Sequence, residues 1–260
     1  MTRIQVSFRR GFTGRMFPAD LQIRVGGSSI YSSTAAWSRL QMATDGKRVL
    51  ILIHGYNNDF YAARAAYTDV LDNLVRECGW ALPYDTILEV YWPGRTFLGF
   101  WAAVGAANGA GRRLRDLLVR LWPASVDIET HSLGARVALE ALKTGVTPGT
   151  VRNLILTAPA VDDESLGAKE DQYYQSTLCC QRVLVCYSQN DPVLGKWYRR
   201  LGSLPWNLLS GGDAALGWSG PSDIFSCSAS VETLNDSDGV LTHGGWKSSS
   251  ALLREWRLLV

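Results

Sequence analysis

Residues 127–142 read DIETHSLGARVALEAL, an apolar run that turns polar at His131-Ser132 and then resumes with a different spacing. VDIETH (126–131) is short and β-branched, which predicts a strand. Val137 to Leu142 predicts a helix, and Gly145 is placed to end it. Ser132 then falls on the turn between the two. The local pattern differs from G-x-S-x-G, where a serine sits on a sharp strand-to-helix turn, in having Thr130 at the first glycine position. Alone, Ser132 reads equally well as a strand-end serine capping the helix that follows.

The surrounding chain repeats this strand–helix alternation. RVLILIH (48–54), TILEVYW (86–92), NLILTAP (153–159) and RVLVCYS (182–188) are further strand candidates. RIQVSF (3–8) and LQIRV (21–25) read as strands of an N-terminal hairpin. Between them lie amphipathic patterns. Leu114, Leu117, Leu118 and Leu121 make one apolar stripe in 108–122, opposite Arg112, Arg113, Arg115 and Arg120, a solvated face. Phe60, Tyr67, Val70, Leu71 and Leu74 make another, and Ser248 to Leu258 a last helix. Such alternation implies a mostly parallel sheet with helices on both faces and a site at the carboxyl ends of its strands. Residues 200–222 are rich in Gly, Ser and Trp and read as an irregular connection. A central strand bearing Asp127 and Glu129 needs basic partners, such as Arg136 or Arg112, or a face that is partly open.

Composition narrows the function classes. The 260 residues are 47% hydrophobic and 19% charged, enough for one large α/β domain. A net charge of +2, from 26 basic and 24 acidic residues, provides no field for nucleic acid. Met1 to Val6 lacks the apolar core of a secretory signal. The apolar stretch FLGFWAAVGAA (97–107) is too short to cross a bilayer. Cys78, Cys179, Cys180, Cys186 and Cys227 are odd in number and form no C-x-x-C pair, which suits free thiols in a reducing cytoplasm. The three histidines, His54, His131 and His243, show no metal-ligand spacing.

A serine hydroxyl becomes nucleophilic when a histidine takes its proton and a carboxylate holds that histidine. Only His243, in GVLTHGGW, follows Ser132 at a distance. For the acid, Asp191 follows one apolar strand, in RVLVCYSQNDPVL, and Asp162 and Asp163 follow another, in NLILTAPAVDD. Asp191 is the preferred candidate and the Asp162/Asp163 pair the alternative. The oxyanion of an acyl transfer needs N–H donors. Leu133, next after the serine, offers one. Gly55 lets the chain turn sharply after RVLILIH, so that Tyr56 can offer the second.

Taken together, HGYNN, THSLG, SQNDPVL, ALGWSGP and the late Thr242-His243 resemble the α/β-hydrolase superfamily, and within it a bacterial group described as α/β hydrolases of unknown function. The resemblance covers about residues 45–260. It implies an α/β-hydrolase fold in a single domain, 1–260, without a large cap. It implies Ser132 as nucleophile, Asp191 as orienting acid and His243 as base, with Tyr56 and Leu133 as oxyanion donors. The expected reaction is hydrolysis of a small carboxylic ester through an acyl-Ser132 intermediate, without cofactor or metal. Thioester, amide or peptide hydrolysis by the same mechanism is the alternative enzyme reading. A non-catalytic binding protein on a hydrolase scaffold is the competing class. His131 is expected to pack beside the serine turn, and His54 to stabilise its own loop. FLGFW (97–101), Trp206 and Trp218 read either as core or as lining of a binding cleft.

Overall fold

The computed structural model describes residues 1–9, 12–13, 21–25, 29–79, 82–95, 99–169, 172–198 and 214–259. The chain opens with β1 (Thr2–Ser7), β2 (Gln22–Val25) and β3 (Ser29–Ser32), then α1 (Ser33–Thr44). From there strands and helices alternate: β4 (Arg48–Ile53), α2 (Phe60–Cys78), β5 (Thr86–Tyr91), α3 (Phe100–Leu118), β6 (Ser125–His131), α4 (Gly134–Leu142), β7 (Val151–Thr157), α5 (Tyr174–Leu178) and β8 (Cys180–Tyr187). The short α6 (Leu216–Ser219), β9 (Val231–Asn235) and α7 (Ser250–Leu259) complete it.

These strands form one nine-stranded sheet in the order β3-β2-β1-β5-β4-β6-β7-β8-β9. The hairpin strands β1, β2 and β3 pair antiparallel with one another, and every other pairing is parallel. The five strand candidates from 48 to 188 are β4 to β8, displaced by at most two residues at their ends. Their side chains are buried almost throughout, as befits strands covered on both faces. α3 packs against α4, and α2 packs against α7.

The helix expected over 108–122 begins at Phe100 and ends at Leu118. Its first half, AAVGAANGAG, has too few large apolar residues to show a stripe. Small residues are nonetheless what its packing needs: a Cβ on Gly111 would stand 2.5 Å from the Glu140 Cβ on α4. α4 stops at Leu142, and Gly145 adopts a left-handed φ of 74° just beyond. Of the apolar stretch 97–101, residues 97 and 98 lie outside the described residues, and Phe100 and Trp101 open α3. Trp206 and the irregular connection up to residue 213 also lie outside them; from Ala215, which bridges to Asp162, the chain enters α6.

The two acids of β6 are accommodated differently. Arg152, at the start of the neighbouring strand, answers Asp127, not Arg136 or Arg112. Its Nε donates to Asp127 Oδ1 at 3.0 Å, and the Tyr84 hydroxyl and Asn153 Nδ2 add bonds at 2.6 and 2.9 Å. Arg136 instead donates to the Tyr173 hydroxyl. Glu129, two residues along the same face, lines a cavity.

Candidate active site

β6 delivers Ser132 to the carboxyl end of the sheet with a φ of 55°, in the left-handed region that residues with a side chain rarely occupy. The turn is over-determined by hydrogen bonds, as such a conformation requires. The Ser132 N–H donates to the Thr157 carbonyl at 2.9 Å, and its own carbonyl accepts from Ala135 and Ala160 at 3.0 and 3.2 Å. Gly134 permits the approach to β4, since a Cβ there would stand 2.7 Å from the carbonyl oxygens of both Ile53 and His54. Thr130 fits at the first position because its hydroxyl turns to β7 and donates to the Ile155 carbonyl.

The loop after β4 lies against this turn. A Cβ on Gly55 would come within 2.9 Å of the Ser132 Cβ, so only glycine brings the two loops this close. Tyr56 follows, its ring edge-on to Phe100 at 5.7 Å. Among the described residues, neither the Tyr56 N–H nor the buried Leu133 N–H has a hydrogen-bond acceptor.

Asp191 and His243 meet from the loops after β8 and β9. The His243 Nδ1–H donates to Asp191 Oδ2 at 2.7 Å. Asp191 is buried, and its other oxygen accepts the N–H groups of Val193 and Leu194 at 2.9 and 3.1 Å. With Nδ1 protonated toward an acceptor, the His243 Nε2 carries the lone pair. The Ser188 hydroxyl donates to the Val240 carbonyl at 2.6 Å, and Asn190 Nδ2 to the Ser237 carbonyl at 2.6 Å, fastening the two loops together.

The other histidines are structural neighbours of this pair. His131 Nε2–H donates to the His243 carbonyl at 2.8 Å, and the two rings lie 4.7 Å apart. Burial, followed by the nearby His243, lowers the His131 pKa to about 4, so its ring is neutral and holds the His243 loop as a plain hydrogen-bond donor. His54 donates from Nδ1 to the Gly55 carbonyl at 2.8 Å and stacks on Trp92. Burial and then Arg9 hold its pKa well below the usual histidine range.

Arg9 carries no signal of its role in the sequence. This buried guanidinium beyond the end of β1 donates to the Trp92 carbonyl at 2.6 Å, the Asn58 carbonyl at 2.7 Å and the His54 Nε2 at 2.9 Å. It ties the loop that carries Tyr56 to the loop after β5. Burial lowers its pKa to about 10. An arginine at a strand end carries no spacing signal, since all its partners are remote in sequence.

The alternative acids are placed elsewhere. Asp162 accepts from the Tyr198 hydroxyl at 2.9 Å and Asp163 from the Ser219 hydroxyl at 3.3 Å; both are half-buried. Trp218 packs against Gly195 and donates to the Gln189 carbonyl at 2.8 Å. Among the described residues, no three His, Cys, Asp or Glu side chains group as a metal site, and no helix is long and apolar enough to cross a membrane. All five cysteines are free thiols.

The sequence model of a family described as "Alpha/beta hydrolase of unknown function (DUF900)" matches residues 31–203, a span that ends before His243. Among curated proteins none matches the chain. Among solved structures, the lin2722 gene product of Listeria innocua is similar with a TM-score of 0.50 at 14% identity, over 82% of this chain and 94% of that one. Carboxyl esterase 2 of the fungus Tuber melanosporum gives 0.45 at 13% identity, over 100% and 85% of the two chains. An esterase of Rhizomucor miehei gives 0.40 at 12%, over 100% and 80%.

Proposed function

This chain belongs to the alpha/beta hydrolases of unknown function, and we propose that it is a serine hydrolase that cleaves carboxylic esters of small molecules. The observation that carries the reading is the Asp191–His243 hydrogen bond of 2.7 Å, made between loops of the same sheet end that bears Ser132 in its left-handed turn. In this reading the chain works as a single domain without a large cap, in the cytoplasm, and the chemistry draws on protein groups alone.

The His243 Nε2 takes the Ser132 hydroxyl proton as Oγ attacks the ester carbonyl. Asp191 keeps the ring in the required tautomer and stabilises the imidazolium. The tetrahedral oxyanion meets the N–H groups of Tyr56 and Leu133, whose lack of another acceptor among the described residues supports that role. His243 returns the proton to the departing alcohol, leaving an acyl-Ser132. Water, deprotonated by the same imidazole, then releases the acid.

The test is labelling with a fluorophosphonate probe together with a panel of model esters, a thioester and an anilide. Ser132 is expected to carry the label, and Ser132→Ala to lower kcat by at least about a thousandfold with the fold intact. Esters are expected to be turned over faster than the thioester and the anilide. An unlabelled protein, or a Ser132→Ala variant that retains most of its turnover, overturns the assignment.

A further inference from the structure

Three carboxylates, one on β5 and two on β6, project toward the α2 and α7 face on either side of β4, and two of them have a cation. Glu89 receives Arg3 Nε at 2.8 Å, with the Tyr91 hydroxyl at 2.8 Å. Asp127 receives Arg152 at 3.0 Å. Glu129, in register with Leu52 and Ile155 on the adjoining strands, is buried, and its Oε2 has no hydrogen-bond partner among the described residues. It lines a cavity of about 200 Å³ whose wall is aliphatic at Leu52, Ile53, Ala66 and Val70 and polar at Asn58, Tyr67, Thr130 and Thr157.

Among the described residues no three His, Cys, Asp or Glu side chains gather here to hold a metal ion. The aliphatic side of the cavity fits an apolar stem, and the buried, unpartnered Oε2 of Glu129 marks where a cation is answered. We propose that this cavity binds a small organic cation, a primary ammonium on a short aliphatic stem, with the ammonium paired to Glu129.

The groups around Glu129 leave it the counter-charge to be supplied from outside. Tyr67 of α2, His54 beyond β4 and His131 of β6 are neutral, and Cys186 of β8 is a thiol pushed up by burial and then by Glu129 itself. Lys247 reaches the wall from the turn before α7, but its ammonium pairs with Asp69 at the surface. Burial raises the Glu129 pKa to about 8, so at neutral pH an arriving ammonium displaces a proton. The walls also include Gly55, His131 and Gly244, each next in sequence to a residue of the proposed active site. The binding inference is independent of the serine mechanism and is read without turnover.

Isothermal titration with n-butylammonium and with n-butanol, in buffers of different ionisation enthalpy, tests it. The ammonium is expected to bind saturably at neutral pH with release of nearly one proton, and at least about tenfold more tightly than the alcohol. Its affinity should rise about tenfold per pH unit below the Glu129 titration and level off above it. Glu129→Gln should weaken the ammonium at least about tenfold, abolish proton release and leave the alcohol unaffected. No saturable binding, equal affinity for alcohol and ammonium, or unchanged ammonium binding in folded Glu129→Gln overturns the proposal. If that variant does not fold, a flat affinity of the parent protein from about pH 6 to 9 does so.

Discussion

Asp191 and Asp162 both follow apolar strands, and they differ in what their carboxylates hold. Asp191 spends one oxygen on two backbone N–H groups and offers the other to His243. Asp162 accepts a tyrosine hydroxyl instead. In a kinetic comparison at matched folding, Asp191→Asn is expected to lose about 10³ to 10⁴ in kcat. Asp162→Asn and Asp163→Asn should stay within about tenfold of the parent, and the reverse pattern moves the acid to the loop after β7. Glu129 carries a different prediction, for the protein without ligand. Its folded pKa of about 8 lies above that of an unfolded chain, so between those values the folded state binds the additional proton. Its contribution is intact below the unfolded pKa, near 4.3, and is lost as pH rises toward 8, at about 1.4 kcal/mol per unit. Glu129→Gln should therefore gain stability over the parent progressively from about pH 5 to 8 in urea titrations; a gap that does not widen refutes the shift. The sequence exposed Asp127 and Glu129 as anomalous, but only register could show that Arg152 answers the first and that, among the described residues, nothing charged answers the second.

At the scale of elements, what was legible followed hydrophobic pattern. β4 to β8 are runs of branched aliphatic residues buried on both faces, and such runs stand out in any window. β3 and β9 did not: SIYS and VETLN are short, and β9 is largely exposed. α1 has polar residues scattered around its circumference. The first half of α3 was illegible for a physical reason, since close packing on α4 demands small residues and small residues carry little pattern. Of the proposed site, the serine turn, the acid and the late histidine could be placed by position in the chain. Arg9 could not, because three distant loop atoms define it. Gly134 tests whether the fit of α4 against β4 positions the serine turn. Gly134→Ala drives a Cβ into the carbonyl oxygens of Ile53 and His54, so α4 must shift. Overpacking of this kind costs roughly 1–3 kcal/mol, and kcat should fall by about a hundredfold with the displaced turn. Thermal melting and kinetics check it; a variant matching the parent in both would show that the contact relaxes freely.

At the scale of the molecule, the sheet order puts β1 in its interior, between β2 and β5. The residues matched by the family model begin at 31, after β1 and β2, yet Ile4 and Val6 are completely buried and pair with Leu88 and Val90 of β5. A fragment trimmed to the family boundary, 31–260, would strip β5 of its neighbour along its whole length. Its backbone donors and acceptors would become an open template for any other chain in solution. The same cut removes Arg3, leaving Glu89 buried without its cation, and Arg9, freeing the loop of Tyr56. Such a fragment is expected to aggregate on expression, with the parent chain monodisperse beside it in light scattering. A soluble fragment melting like the parent would mean that the first thirty residues are an appendage; the pairing of β1 makes them the seal on an otherwise adhesive sheet.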